Sequence, residues 1–245
     1  MDWKYNHYVH QLRSTYRKNH ENFIITSLIH DVRLSELRPM TQHHVKRTDK
    51  EYYLIDLYYP QIELAIEVDE PYHQGIKERD KERQEIVVSK LNCGFSRICI
   101  SSGNALAQIE ALKLRILDRV EQYKASGEFK EWTEPKYVTF ESLRDKHKNT
   151  LFVKIKGHVH PKDLYRRQTG GWTLASWKIP KLEKVLIVHN NIVTRAFVNL
   201  EWEQYPDDKR KWRYDGDENL DMPSVGHVLE GWTWQNGRAY SFDLS

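Results

Sequence analysis

Four side chains in the first half of the chain have types and spacing that could serve one reaction: Asp56, Glu67, Asp69 and His73. They stand in the runs Ile55-Asp56-Leu57-Tyr58-Tyr59-Pro60 and Leu64-Ala65-Ile66-Glu67-Val68-Asp69-Glu70, with His73 just beyond. On a strand alternate residues share a face, so Glu67 and Asp69 point one way while Ile66 and Val68 point the other. Two carboxylates side by side repel unless something positive sits between them. If the two runs pair across a turn at Pro60, Asp56 meets Glu67 and the result is an oxygen-rich pocket suited to a hard cation such as Mg²⁺. A cation held there binds a phosphate oxygen and activates a water for in-line attack. His73 adds a group able to shuttle protons near neutral pH. The bland alternatives are a solvated acidic sheet face and a surface histidine in a loop. Asp56 weighs against the first, because it lies between Ile55 and Leu57 in a run apolar enough to be central.

The elements that must position these residues follow from periodicity. Helical spacing over residues 3–18 and 21–30 predicts two helices, the second with Phe23, Ile24, Ser27 and Leu28. The runs Tyr52 to Tyr59 and Glu63 to Asp69, rich in aromatic and β-branched residues, predict strands joined by Pro60-Gln61-Ile62. Residues 77–91 return to helical spacing, Phe95 to Ser101 predicts another strand, and Asn104 to Lys124 a long amphipathic helix. A further strand is expected near 40–47. Gln42, placed just before the sheet, reads as a polar loop position with contact to DNA or the active site as the sharper alternative. Ala125-Ser126-Gly127 reads as a helix end with Gly at the C-cap, and Pro135 follows, so a linker is expected at about 125–136. This gives two domains, 1–128 and 136–245.

Composition narrows the class. The 245 residues carry 38 basic against 35 acidic side chains, a formal charge of +3, which neither requires nor excludes a polyanionic partner. The 14 Tyr, 8 Trp and 7 Phe argue for a folded chain, since disordered chains are aromatic-poor. No run approaches the roughly 20 apolar residues of a membrane span, and the first residues lack the apolar core of a signal peptide. Cys93 and Cys99 alone make neither a disulfide framework nor a four-ligand zinc site. The expectation is a cytoplasmic protein with no membrane partner.

The span from Asp56 to Arg97 resembles the endonucleases related to the very-short-patch repair nuclease, of restriction-endonuclease-like fold. The residues that carry the resemblance are Asp56, Ile66-Glu67-Val68-Asp69, His73, Asp80-Lys81-Glu82-Arg83 and Arg97. Glu70 stands where many relatives have Gly, and Asp69 where the commoner version of the motif has Lys. The resemblance implies an α/β domain with an αβββαβ core. It implies that Asp56 and Glu67 ligate Mg²⁺ (or Mn²⁺), that Asp69 holds a second metal or a metal-bound water, and that His73 assists proton transfer in place of the missing Lys. Arg83 and Arg97 have the plainer reading of structural ion pairs.

Seven of the eight Trp residues lie at or beyond Trp132, and the second half reads as mainly β. Strands are expected at Leu151 to Lys156, Lys184 to His189, Ile192 to Leu200 and Arg238 to Phe242, with a hairpin turn at Asn190-Asn191 and a short helix at Pro161 to Arg167. Aromatic faces stack on bases and neighbouring cations hold phosphates, which singles out Arg166, Arg167, Trp172, Trp177, Lys211 and Arg213. Against this, most Trp residues of a small β-domain belong to its core, and Lys209-Arg210-Lys211-Trp212-Arg213 reads first as a solvated loop. His158 and His160 lack a nearby third ligand and read as surface residues. The order Lys162-Asp163-Leu164-Tyr165, Trp172, Val185-Leu186-Ile187-Val188 and Ile192-Val193 resembles PUA-like modules, a superfamily that includes SRA-type readers of modified bases. Such a reader after a repair-nuclease-like domain is the order found in modification-dependent restriction endonucleases. The expectation is a metal-dependent endonuclease of double-stranded DNA directed by its second half, in phage defence, with modified cytosine as target and a homodimer as its working form. The alternatives are a non-catalytic nucleic-acid reader on a degenerate nuclease fold and a mismatch-directed repair endonuclease.

Overall fold

The computed structural model describes residues 7–8, 11–12, 19–48, 51–69, 77–99, 104–157, 159–231 and 238–241. The chain divides into two compact units, Met1–Glu134 and Pro135–Ser245. No helix among the described residues is long and apolar enough to cross a membrane.

The first unit is built on a four-stranded sheet in the order β1-β2-β3-β4. Helix α1 (Asn19–Ile29) precedes β1 (Met40–Thr48) and β2 (Glu51–Tyr59). These two strands pair antiparallel with His43 opposite Ile55 and Thr41 opposite Leu57. A 3₁₀ turn at Pro60–Ile62 closes on Glu63, which adopts the left-handed region at φ 45°. It turns the chain into β3 (Leu64–Asp69), antiparallel to β2 with Leu57 opposite Ile66. Helix α2 (Lys77–Leu91) then crosses over to β4 (Gly94–Cys99), which runs parallel to β3 with Glu67 opposite Arg97. Helix α3 (Ala105–Ser126) ends on Gly127 at φ 78°, whose N–H reaches the carbonyls of Lys124 and Tyr123. That left-handed cap is the position glycine fills most cheaply.

The core of this unit explains how the sheet presents its carboxylates. Ile24, Ile25 and Leu28 of α1 and Ile109, Leu112, Ile116 and Val120 of α3 pack with Leu57, Tyr59, Ile66, Val68 and Ile98. Strand alternation that sends Leu57 and Tyr59 inward turns Asp56 to the other face, and Glu67 follows between Ile66 and Val68. Both carboxylates are nevertheless buried, Asp56 at 7% and Glu67 at 7% exposure. The expected helices and strands of the first half appear where the described residues cover them. The exception is the helix expected at 3–18, of which only residues 7–8 and 11–12 are described, both pairs helical.

The second unit carries an eight-stranded sheet with the path β12-β6-β8-β9-β10-β7, to which β11 and β5 attach. Strands β6 (Thr150–Ile155) and β8 (Lys184–His189) are parallel neighbours. The hairpin from β8 to β9 (Ile192–Gln204) turns on Asn190 and Asn191, both at positive φ of 50° and 65°, as two-residue hairpin turns require. Both sheet faces are covered. Leu151, Val153, Val185 and Ile187 enter one cluster, and Phe152, Leu186 and Val188 the other. Burial on both faces is why these strands read as unbroken apolar runs. Strands β5 (Tyr137–Thr139), β7 (Trp172–Thr173), β11 (Val228–Glu230) and β12 (Arg238–Ser241) complete the sheet, with helices α4 (Phe140–Lys146) and α5 (Pro161–Thr169).

One expectation is overturned here. The basic run at 209–213 is not a loop throughout, because Lys211 opens strand β10 (Lys211–Glu218), antiparallel to β9 with Tyr214 opposite Trp202. The reason is the alternation of Trp212, Tyr214 and Gly216, which puts Trp212 and Tyr214 against the core while Lys211 stays exposed.

Candidate active site

Asp56 comes from the middle of β2 and Glu67 from the middle of β3, on the sheet face opposite the α1–α3 core. Asp56 is held at both oxygens. The backbone N–H of Val68 donates to Oδ2 at 2.9 Å, and Nε2 of Gln42 donates to Oδ1 at 3.2 Å. The same Nε2 donates to Oε1 of Glu21 at 2.7 Å. Gln42 is therefore no loop residue. It lies within β1, 5% exposed, with φ at 50°. A left-handed non-glycine residue in mid-strand is strained and persists only where its surroundings over-determine it. Here the bonds to two buried carboxylates supply that determination.

Glu67 faces Arg83 of α2, whose Nη2 donates to Oε1 at 2.6 Å and to the Leu54 carbonyl at 2.6 Å. Arg83 also sits over the Tyr53 ring, 5.5 Å from its centroid. Burial, and then the charge of Asp56, push the Glu67 carboxyl up to about 8, against the opposing pull of Arg83 and Arg97. Asp69 lies at the end of β3 and is held by Arg97 of β4, whose Nη1 donates to Oδ1 at 3.1 Å and Oδ2 at 3.3 Å. His73 and Glu70 lie outside the described residues.

The donor chemistry suits a hard divalent cation. Mg²⁺ is commonly held by one or two carboxylates, its other positions taken by water and substrate phosphate. Asp56 and Glu67 are carboxylates of the kind such an ion takes, and it is burial first, then the neighbouring Asp56, that raises the proton affinity of Glu67. Among the described residues no group of three or more His, Cys, Asp or Glu side chains is arranged to hold a metal ion.

Glu21 is the site residue that sequence reasoning missed. It is 4% exposed and occupies the same helical stripe as Ile24, Ile25 and Leu28, at spacings of three, four and seven. An acidic residue on the apolar stripe of a helix was the available signal.

In the second unit the singled-out residues divide by exposure. Trp172 is half-buried, its Nε1 donating to the Gln168 carbonyl at 3.0 Å. Trp202 and Trp212 also pack against the core. Trp177 is 63% exposed, with the ammonium groups of Lys178 and Lys181 at 5.4 and 5.7 Å from its ring centroid. Arg166 and Arg167 are exposed near the end of α5, Arg166 facing Asp163 at 3.8 Å. Lys211 pairs with Asp208 at 3.6 Å, and Arg213 pairs with Glu203. His160 is exposed, and His158 lies outside the described residues.

Residues 5–150 match the profile of the family described as restriction endonuclease PvuRts1 I-like, N-terminal. Among solved structures, the chain is similar to "The 5-Hydroxymethylcytosine-Specific Restriction Enzyme AbaSI". The identity is 15%, the TM-score 0.45, and the match covers 92% of this chain and 98% of that one. Among curated proteins none matches.

Proposed function

Because the chain belongs to the PvuRts1 I-like restriction endonuclease family through its N-terminal region, we propose that it is a Mg²⁺- or Mn²⁺-dependent DNA endonuclease with Asp56 and Glu67 as metal ligands. The observation that carries this reading is the buried pair itself: two carboxylates from adjacent central strands, the Glu67 carboxyl pushed up by burial and then by Asp56. A bound divalent ion would supply charge neutralisation at the scissile phosphate. The chain's own residues hold the arrangement. Gln42 and the Val68 N–H orient Asp56, and Arg83 fixes Glu67 between α2 and β3. His73 is assigned the proton transfer to and from the reacting water.

We assign cleavage to residues 1–128 and target choice to residues 136–245, read as a PUA-like module that recognises modified cytosine. Exposed Trp177, with the Lys178 and Lys181 ammonium groups close to its ring, offers a stacking surface beside phosphate-binding charge, and Arg166, Arg167, Trp172, Lys211 and Arg213 complete the proposed DNA contacts. Cutting both strands with one such site per chain implies a homodimer on DNA.

The test is digestion of matched duplexes carrying cytosine, 5-methylcytosine, 5-hydroxymethylcytosine or glucosylated cytosine, with Mg²⁺ and the Asp56→Ala and Glu67→Ala variants. Cleavage of a modified duplex that both variants lose is the expected result. Cleavage persisting in both variants removes the site assignment, and equal cutting of all four duplexes removes the modified-base reading. Incision of mismatched, unmodified duplexes alone would make it a repair endonuclease. Tight DNA binding without cleavage under any divalent ion would make it a reader on a degenerate nuclease fold.

A further inference from the structure

Hydrolysis of a phosphodiester builds negative charge on the non-bridging oxygens as water adds to phosphorus and the leaving oxygen departs, so a positioned cationic donor has direct work there. Two guanidinium groups border the carboxylate face. Arg83 is bound to Glu67 itself, with one nitrogen, Nη2, donating to both Glu67 and the Leu54 carbonyl, and its Nε is buried, without a hydrogen-bond partner among the described residues. Arg97 differs. It stands opposite Glu67 in the parallel β3–β4 register, so its side chain leaves the sheet on the same face as Glu67 and Asp69. Both of its hydrogen bonds leave from Nη1 and end on Asp69. Among the described residues its Nη2 and Nε hold no further hydrogen bond, and the side chain is 30% exposed. One edge of the fork is anchored on Asp69, and among the described residues the other edge carries no hydrogen bond. Phe95 lies under the guanidinium, 5.5 Å from ring centroid to Cζ.

We infer that Arg97, oriented by Asp69, is the phosphate-binding cation of the site, and that Asp69 is a positioning residue for Arg97, not a metal ligand. This rests on the nuclease reading above. A planar fork with free donors matches phosphoryl oxygens better than a lysine ammonium does. An ordinary surface ion pair at the same place would contribute little beyond stability, and the two roles separate experimentally.

The experiment uses the full chain and its Asp56→Asn, Asp69→Asn, Arg97→Gln and Arg97→Lys variants. Two readouts are taken: single-turnover cleavage of the DNA that the wild type cuts, and binding of Mn²⁺ alone, followed by electron paramagnetic resonance. Arg97→Gln is expected to lose about 100-fold in cleavage rate, the scale on which one preorganised charge-stabilising donor acts. Arg97→Lys is expected to recover about tenfold of that loss, since charge returns without the fork. Asp69→Asn is expected to slow cleavage while keeping wild-type Mn²⁺ affinity, whereas Asp56→Asn loses Mn²⁺. Mn²⁺ affinity lost in Asp69→Asn as in Asp56→Asn overturns the inference. So does Arg97→Gln cutting at the wild-type rate, or Arg97→Lys cutting no faster than Arg97→Gln. A wild type that cuts none of the four duplexes instead removes the nuclease reading, and this inference with it.

Discussion

Replacing Gln42 tests whether a strained polar residue holds the carboxylate cluster together. Its Nε2 serves two buried acceptors, Glu21 Oε1 at 2.7 Å and Asp56 Oδ1 at 3.2 Å. A hydrogen bond to a charged group contributes about 1.5–3 kcal/mol. With the longer bond at the low end, Gln42→Ala should destabilise the first unit by about 3–4 kcal/mol, a large share of the roughly 5–15 kcal/mol that a whole domain has. Ala keeps the left-handed backbone at φ 50°, which costs a non-glycine residue about 1–2 kcal/mol. Gln42→Gly removes that strain but adds about 0.5–1 kcal/mol of unfolded-chain entropy. It should therefore be more stable than Gln42→Ala by about 0.5–1 kcal/mol. The assay is urea unfolding read by hydrogen exchange in peptides from β2, because two units need not unfold in one transition. The reasoning fails if Gln42→Ala stays within about 0.5 kcal/mol of wild type, the range of an inert substitution. It fails equally if Gln42→Gly is the less stable of the two variants.

The two units should respond to pH in opposite directions. Burial, and then the charge of Asp56, push the Glu67 carboxyl from its ordinary 4.5 up to about 8, so the native state binds the extra proton. The first unit should lose stability as pH rises from about 5 to 8, with Glu67→Gln flattening the trend and Mg²⁺ binding releasing protons in unbuffered titration. His147 is pushed down to about 4, first by burial and then by Lys184 and Lys146, and its Nε2 lies 2.6 Å from Ser224 Oγ. The second unit should therefore lose stability as pH falls from about 6.5 to 4, read by hydrogen exchange in β6 and β8. Gly216→Ala would bring a Cβ to 2.8 Å from the Val198 carbonyl oxygen and 2.9 Å from Leu200 Cδ2. Since a backbone oxygen cannot swing away, a loss of about 1–3 kcal/mol is expected in thermal unfolding of the second unit.

The carboxylate pair was legible because its information is local. Asp56 between apolar neighbours and Glu67 two residues before Asp69 announce a strand whose polar face is crowded with charge. Gln42 was misplaced because no sequence pattern marks a left-handed residue in mid-strand. Glu21 was passed over because its partner Gln42 lies 21 positions away, although its place on the apolar stripe of α1 was visible. The basic run at 209–213 misled because charge was weighed above the alternation of Trp212 and Tyr214, which packs that strand on the core.

What the sequence determined by itself is what periodicity and residue type encode over a few neighbours: the succession of helices and strands in the first half, the helix end at Gly127, and the strand face that Glu67 and Asp69 share. Tertiary structure decided which of these groups keep company. The crossover through α2 makes β4 parallel to β3 and so sets Arg97 beside Glu67 and within reach of Asp69. The pairing of β1 with β2 brings Gln42 to Asp56 and α1 brings Glu21 to Gln42. The hydrogen-bonded partners are 14 to 28 positions apart in the chain. Strand register and helix packing choose them, and both are set by burial of the apolar faces, not by the polar residues that the faces carry into contact.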